Sequence, residues 1–273
     1  MDSILKIQLY RNTFSFYFLA TLVSWVLWFI AAWLSHHTPA SYLNLVSIFG
    51  ILGLLSPLIV ALAFIYPKKE LRRDCAVRIF GLKAVAIKYF VIAVLLMPAS
   101  ILLAQFVSLL FGYSPEQFQF RDGFTFTSGV LPVWFLMVMA PIIEELAWHS
   151  YGTDSLRGRF SLLTTSLIFA FFWGIWHLPL SFIKDYYHSN LLESGAIYSL
   201  NFFLSLFPFV LIMNWLYYKT NRSILITIIF HISAGYFNEI FMTHPMSKVI
   251  QTVLLTLFSF YLILKQKSSF INN

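Results

Sequence analysis

Charge is scarce in this chain: only 11% of its 273 residues are Asp, Glu, Lys or Arg. Soluble domains carry about 25%, so a water-facing surface of ordinary extent is excluded. Cysteine is nearly absent as well. The single Cys75 rules out an internal disulfide and any multi-cysteine metal cluster, and nothing points to redox chemistry. Acidic residues are few, 11 against 18 basic, for a net charge of +7. That excess does not read as a nucleic-acid footprint, because the Lys and Arg residues sit in short loops between apolar runs rather than among polar surface residues. No nucleic-acid partner is expected, and the chain has no tandem repeat or low-complexity stretch.

What is abundant is hydrophobic: 59% of the residues are apolar and 19% aromatic. About twenty apolar residues cross the hydrocarbon of a bilayer. Eight stretches qualify, at 14–34, 42–66, 85–112, 129–156, 162–183, 197–217, 223–242 and 247–264. The fold class expected is therefore all-α, a polytopic bundle of about eight transmembrane helices forming one domain over 1–273. The first run, Phe14 to Leu34, is too long for a signal-peptide core and reads as the first span. Pro57, Pro98, Pro132, Pro141, Pro179 and Pro208 fall within spans, which bundled membrane helices tolerate.

With the N-terminus inside, fifteen Lys and Arg residues fall on the cytoplasmic side and three (Arg121, Lys184 and Lys248) outside. Such a bias places both termini in the cytoplasm. Its densest part, Pro67 to Lys83, reads as an anchor on anionic lipid headgroups.

Against this apolar background four titratable groups stand out: Glu144 and Glu145 in the fourth span, His177 in the fifth and His231 in the seventh. Such groups are costly in lipid and usually mark function. At ~1.5 Å per residue, Glu144 lies ~18 Å, His177 ~22 Å and His231 ~12 Å from the cytoplasmic ends of their helices, near enough in depth to converge. Glu144 and Glu145 point about 100° apart, so both cannot serve one atom equally. Glu145 and His149 are spaced i, i+4 and can touch. The expected division is one working carboxylate and one held by an imidazole. A carboxylate with two imidazoles can hold and deprotonate a water. The chain has no HExxH zinc motif, no paired intramembrane aspartates and no GxSxG elbow in a suitable context. Glu144, His177 and His231 are also a donor set that zinc accepts, with a position left open; a metal-free glutamate mechanism fits the same residues.

The motifs Glu144-Glu145-Leu-Ala-Trp148-His149, Trp173-Gly-Ile-Trp-His177-Leu-Pro179 and His231-Ile-Ser-Ala-Gly235 resemble those of the CPBP intramembrane proteases, which include type II CAAX prenyl endopeptidases and bacteriocin-processing and immunity relatives. The likeness covers roughly 129–242, against the family pattern EExxxR, FxxxH and HxxxN. It implies that Glu144 activates water, that His177 and His231 complete the water or metal site and stabilise the oxyanion, and that Glu145 supports them. It further implies a bacterial plasma membrane and a peptide or protein substrate that is membrane-associated, prenylated or bacteriocin-like. Three positions depart from the pattern: His149 stands for the arginine, Trp173 for the phenylalanine, and Gly235 for the polar ending, with Asn238 one turn further along. The reading is an intramembrane (metallo)endopeptidase whose cavity opens to the cytoplasm. A non-catalytic immunity or scaffold relative and a proton-coupled transporter are the alternatives.

Overall fold

Apolar stretches of twenty or more residues have one stable solution in lipid, a helix that satisfies its own backbone. The computed structural model, which describes residues 7–39, 43–80, 85–127 and 130–271, is built almost entirely of such helices. In chain order they are α1 (Thr13–His37), α2 (Leu43–Ile65), α3 (Lys69–Phe80), α4 (Ile87–Leu109), α5 (Val133–Ala147), α6 (Thr153–Arg157), α7 (Leu162–Trp176), α8 (Tyr187–Ser194), α9 (Ala196–Lys219), α10 (Ile224–Ile240), α11 (Pro245–Lys265) and α12 (Lys267–Ile271). Among the described residues the only extended pairing is an isolated bridge between Phe120 and Phe241. Lys6, Lys83 and the first residues of the predicted spans at 42 and 129 lie outside the described residues.

Six helical segments are long and apolar enough to cross a membrane, α7 being counted together with the 3-10 turn Leu178–Phe182 that follows it. The other two predicted spans are real helices of a different kind. The fourth breaks into α5, a π-helical turn at Trp148–Gly152, and α6. The seventh, α10, has 17 residues. Both carry residues of the motifs, and both pack against other helices. Four of the six flagged prolines sit inside helices (Pro57, Pro98, Pro141 and Pro208). Pro132 instead precedes α5, and Pro179 opens the 3-10 turn, positions where the missing N–H costs nothing.

Outward faces are greasy: Phe14 and Phe18 on α1, Leu62 on α2, Leu95 on α4 and Leu257 and Leu264 on α11 are exposed. The interior holds the polar groups, as a lipid solvent demands. Gln105 donates to the Gln117 carbonyl at 2.9 Å and to Thr243 at 2.8 Å, and Gln251 donates to Ser100 at 2.8 Å. The α1–α2 pair closes on Trp28, whose indole donates to the Gly50 carbonyl at 2.9 Å and fills the space a side chain at Gly53 would need.

The two ends of the bundle are built differently. At the basic end, α3 lies outside the spans with Lys69, Arg72 and Arg73 exposed, but Leu71, Asp74, Cys75 and Arg78 turned inward. Arg78 is paired with Asp74 at 2.9 Å and Asp154 at 3.0 Å, and Arg222 pairs with Asp74 at 2.9 Å and with Asp154. Tyr10 and Tyr217 donate to the same two carboxylates at 2.8 and 2.9 Å. The expectation that the whole basic cluster rests on lipid headgroups is therefore corrected for Arg78: two acids hold it in the protein interior. Burial pushes the Cys75 thiol pKa up. At the opposite end, three connections interlock. Arg121 N–H donates to the Ile240 carbonyl (2.8 Å), Thr127 N–H to that of Asp185 (3.2 Å), and the Asn190 amide to that of Thr125 (2.9 Å).

Candidate active site

Glu144 and Glu145 end the straight part of α5, next to the π-turn. Such turns add a residue to the helix, redirect side chains and leave carbonyls without their usual partners. Here the freed carbonyls are taken up. Arg78 donates to the carbonyls of His149 (2.6 Å) and Ser150 (2.8 Å). The ion-pair knot at the basic end thus also braces the helix that carries the glutamates.

The adjacent glutamates part company as their 100° offset requires. Glu145 is fully buried and turned into the protein. One oxygen accepts from His231 Nδ1 at 2.9 Å, and the other abuts His149 Nδ1. The network behind His149 fixes its polarity. Ser166 donates to the Leu162 carbonyl at 2.8 Å, so it accepts from the Asn214 amide at 3.0 Å. The Asn214 oxygen consequently faces His149 Nε2 at 2.9 Å, and that nitrogen donates. His149 Nδ1 is left facing the Glu145 carboxylate. His149 therefore does what the spacing predicted, holding Glu145, and Asn214 holds His149.

Glu144 faces the other way, into a cavity of about 300 Å³ whose lining includes Trp173, His177, His231, Gly235 and Asn238. Its Oε2 accepts from Trp173 Nε1 at 3.0 Å. Trp173, which stands where the family pattern has phenylalanine, is thus a donor to the carboxylate, as a phenyl ring could not be. Its ring stands 5.5 Å from that of His177 and 5.2 Å from that of His231, so one indole ties the three helices together. His177 Nδ1 donates to the Trp173 carbonyl at 2.7 Å, which leaves Nε2 without a proton. His231 Nδ1 is directed at Glu145, which leaves its Nε2 for the cavity. The sequence reading grouped His231 with Glu144; its hydrogen bond goes to Glu145.

The departures from the family pattern acquire shapes. A Cβ on Gly235 would meet nothing within 4 Å, so the missing polar side chain leaves open space beside His231. The Asn238 amide donates to the Ala234 carbonyl at 2.9 Å, with its oxygen left over in the same cavity. Among the described residues no three His, Cys, Asp or Glu side chains are arranged to hold a metal ion. Glu144, His177 and His231 remain the residues that would hold a zinc ion, and no step of the mechanism runs through one.

Four residues in or behind the site escaped sequence reasoning. Asn214 is a lone amide inside an apolar run, a signal of the same kind as the histidines. His188, Glu239 and Lys248 also line the cavity, yet their positions beside loops look like ordinary surface. Glu239, to which the sequence gave no role, accepts from Thr125 Oγ1 at 2.6 Å and lies 3.7 Å from Lys248 Nζ.

Most of the lining residues lie toward one end. They come from the N-terminal halves of α9 and α11, the C-terminal halves of α7 and α10, and α8 with the residues before it, while Glu144 and His231 sit deeper, near mid-bundle. Every one of those halves is remote from Lys69–Arg78, Arg157, Lys219 and Lys265. The cavity therefore belongs to the end opposite the basic loops.

Residues 126–237 match the family model described as Type II CAAX prenyl endopeptidase Rce1-like. Across nearly its whole length the chain is similar to CAAX prenyl protease 2 of Methanococcus maripaludis, 38% identical over 267 residues, or 97% of this chain and 98% of that one. With an all-helical membrane bundle and the glutamate–histidine cavity inside it, the chain belongs to the type II CAAX prenyl endopeptidase family of membrane proteases.

Proposed function

We propose that the protein hydrolyses a peptide bond of a membrane-associated substrate with water activated by Glu144. The observation that carries this reading is the separation of the two carboxylates: Glu145 is consumed by His149 and His231, while Glu144 faces the cavity with one oxygen on Trp173 and the other unassigned. A peptide carbonyl in the cavity would take the attacking water, Glu144 would accept its proton, and the proton would pass to the departing amine. Glu145 orients His231, whose Nε2 faces the carbonyl oxygen and, when protonated, stabilises the oxyanion. His177, fixed by the Trp173 carbonyl, offers Nε2 as an acceptor for the same water. Glu144→Gln keeps the shape and the indole contact but removes the base. Turnover is expected to fall by about 10²–10⁴-fold, with the melting temperature in detergent unchanged. Cleavage by Glu144→Gln at the wild-type rate sinks the mechanism. A protein that binds peptide but never cleaves it, in either form, is the scaffold relative instead; the open space at Gly235 is the feature that would favour it. Metal content measured on both forms tests the zinc reading.

Orientation follows from charge. Basic loops stay inside, so both termini are cytoplasmic and the cavity is reached from the opposite face. A peptide presented at the outer surface enters directly; a prenylated chain end made in the cytoplasm would need the reverse orientation. Single cysteines at Glu193 and Ser269, both exposed, separate the two with a membrane-impermeant maleimide on intact cells. Buried Cys75 gives little background. Labelling of the Glu193→Cys protein is expected; labelling only of Ser269→Cys reverses the orientation and restores a cytoplasmic substrate.

A further inference from the structure

The cavity holds an imidazole that no motif contains. His188, on α8, is boxed by four rings: His177 stacked at 5.2 Å, Tyr186 stacked at 5.9 Å, Tyr187 edge-on at 5.4 Å and Phe202 edge-on at 4.8 Å. Both of its ring nitrogens are shut off from solvent, and neither has a hydrogen-bond partner in the protein. Such groups are normally paired, and leaving them unpaired is costly. Two unpaired nitrogens on one ring, in the wall of a substrate-sized cavity, point to an occupant that pairs them. An imidazolium there would be a buried charge with no counter-charge within reach, so the ring is neutral, with one N–H donor and one bare nitrogen acceptor. A peptide backbone offers the complement: a carbonyl for the donor and an N–H for the acceptor.

We propose that His188 is a substrate-binding residue that hydrogen-bonds the backbone of the bound peptide next to His177, an inference that rests on the peptidase reading above. The stack on His177 sets where that contact falls. The peptide is held within a ring's width of the imidazole assigned to the water, so His188 governs which bond lies over Glu144. The site thereby reads main chain rather than side chains at this point, and tolerates varied residues there.

Binding is measured in detergent on the Glu144→Gln background by anisotropy of a fluorophore-labelled, farnesylated eight-residue CAAX-type peptide. His188→Phe keeps a flat ring in the box without nitrogens. It is expected to raise Kd about tenfold, the loss of roughly one good hydrogen bond, with the melting temperature held. His188→Gln, which retains a donor and an acceptor, is expected to recover part of the loss and serves if the Phe variant does not fold. Peptides N-methylated at one amide at a time add a readout that a packing role would not move: methylation at one position should weaken binding to the histidine protein and not to His188→Phe. Equal Kd for all three residues, or equal losses at every methylated position in both proteins, overturns the proposal. If the unaltered protein cleaves the peptide while His188→Phe binds it equally well, only this inference fails. If the unaltered protein neither binds nor cleaves this peptide or its unprenylated counterpart, the peptidase reading falls with it.

Discussion

The two ends of this bundle put buried charge to opposite uses. At the basic end, two arginines, two aspartates and tyrosines close on one another, so that each charge has its counter-charge and the end is sealed. At the other end, Glu144, His177 and Asn238 line the cavity, and His188 keeps both ring nitrogens unpaired. Satisfied networks rigidify, whereas half-satisfied ones are tolerated only where something else completes them. The sealed end is thus the frame, and the hollow end is where chemistry is possible. The π-turn at Trp148–Gly152 joins them, its carbonyls held by Arg78 and its His149 held against Glu145.

Breaking the sealed end should have the largest effect. Asp154→Ala leaves Arg78 and Arg222 short of a buried carboxylate, and removal of one partner of a buried pair costs about 3–5 kcal/mol. Thermal unfolding in detergent is expected to shift sharply down, and activity should vanish with the fold. If Asp154→Ala melts like the wild type, the knot is not the frame. At the hollow end, Trp173→Phe removes the donor to Glu144 and keeps the ring. Bonds to charged groups are worth about 1.5–3 kcal/mol, so kcat should fall roughly 10–100-fold with little change in melting temperature. An equal loss of stability would blur the contrast between the ends. Between them, Asn214→Leu strips His149 of its acceptor, an orphaned buried donor costing about 1–3 kcal/mol. Both stability and kcat should drop, since Glu145 loses its partner's alignment; a change confined to stability would separate His149 from the site. Smallest is Lys248→Ala at the mouth. Its ion pair with Glu239 is long at 3.7 Å and the lysine side chain is 21% exposed, so stability should change by less than about 1 kcal/mol. A larger loss would mean that the mouth, too, is a frame.

Much of the architecture was legible because lipid simplifies the problem. A run such as Leu43–Ile65 has no stable option but a helix, and its position is read from apolar length alone. Glu144, Glu145, His177 and His231 were legible for the same reason, as expensive groups with nothing polar near them in sequence. Glu145 with His149 followed from helical spacing. His188 was not legible, because a histidine at the edge of an apolar segment looks like any surface histidine until four rings from different elements close around it. Arg78 was misread for the mirror-image reason: in a run of basic residues nothing local distinguishes the one that turns inward to Asp74 and Asp154.

By itself, the sequence determined the helical bundle, the crowding of titratable groups into its second half and the charge asymmetry between its ends, since each depends on composition along a stretch of chain. Only the tertiary structure decided which glutamate faces the cavity, which imidazole each acid takes and at which end the bundle is hollow. Those outcomes depend on the angle at which one helix meets another and on the extra residue in a π-turn, and neither is written into any local run of residues.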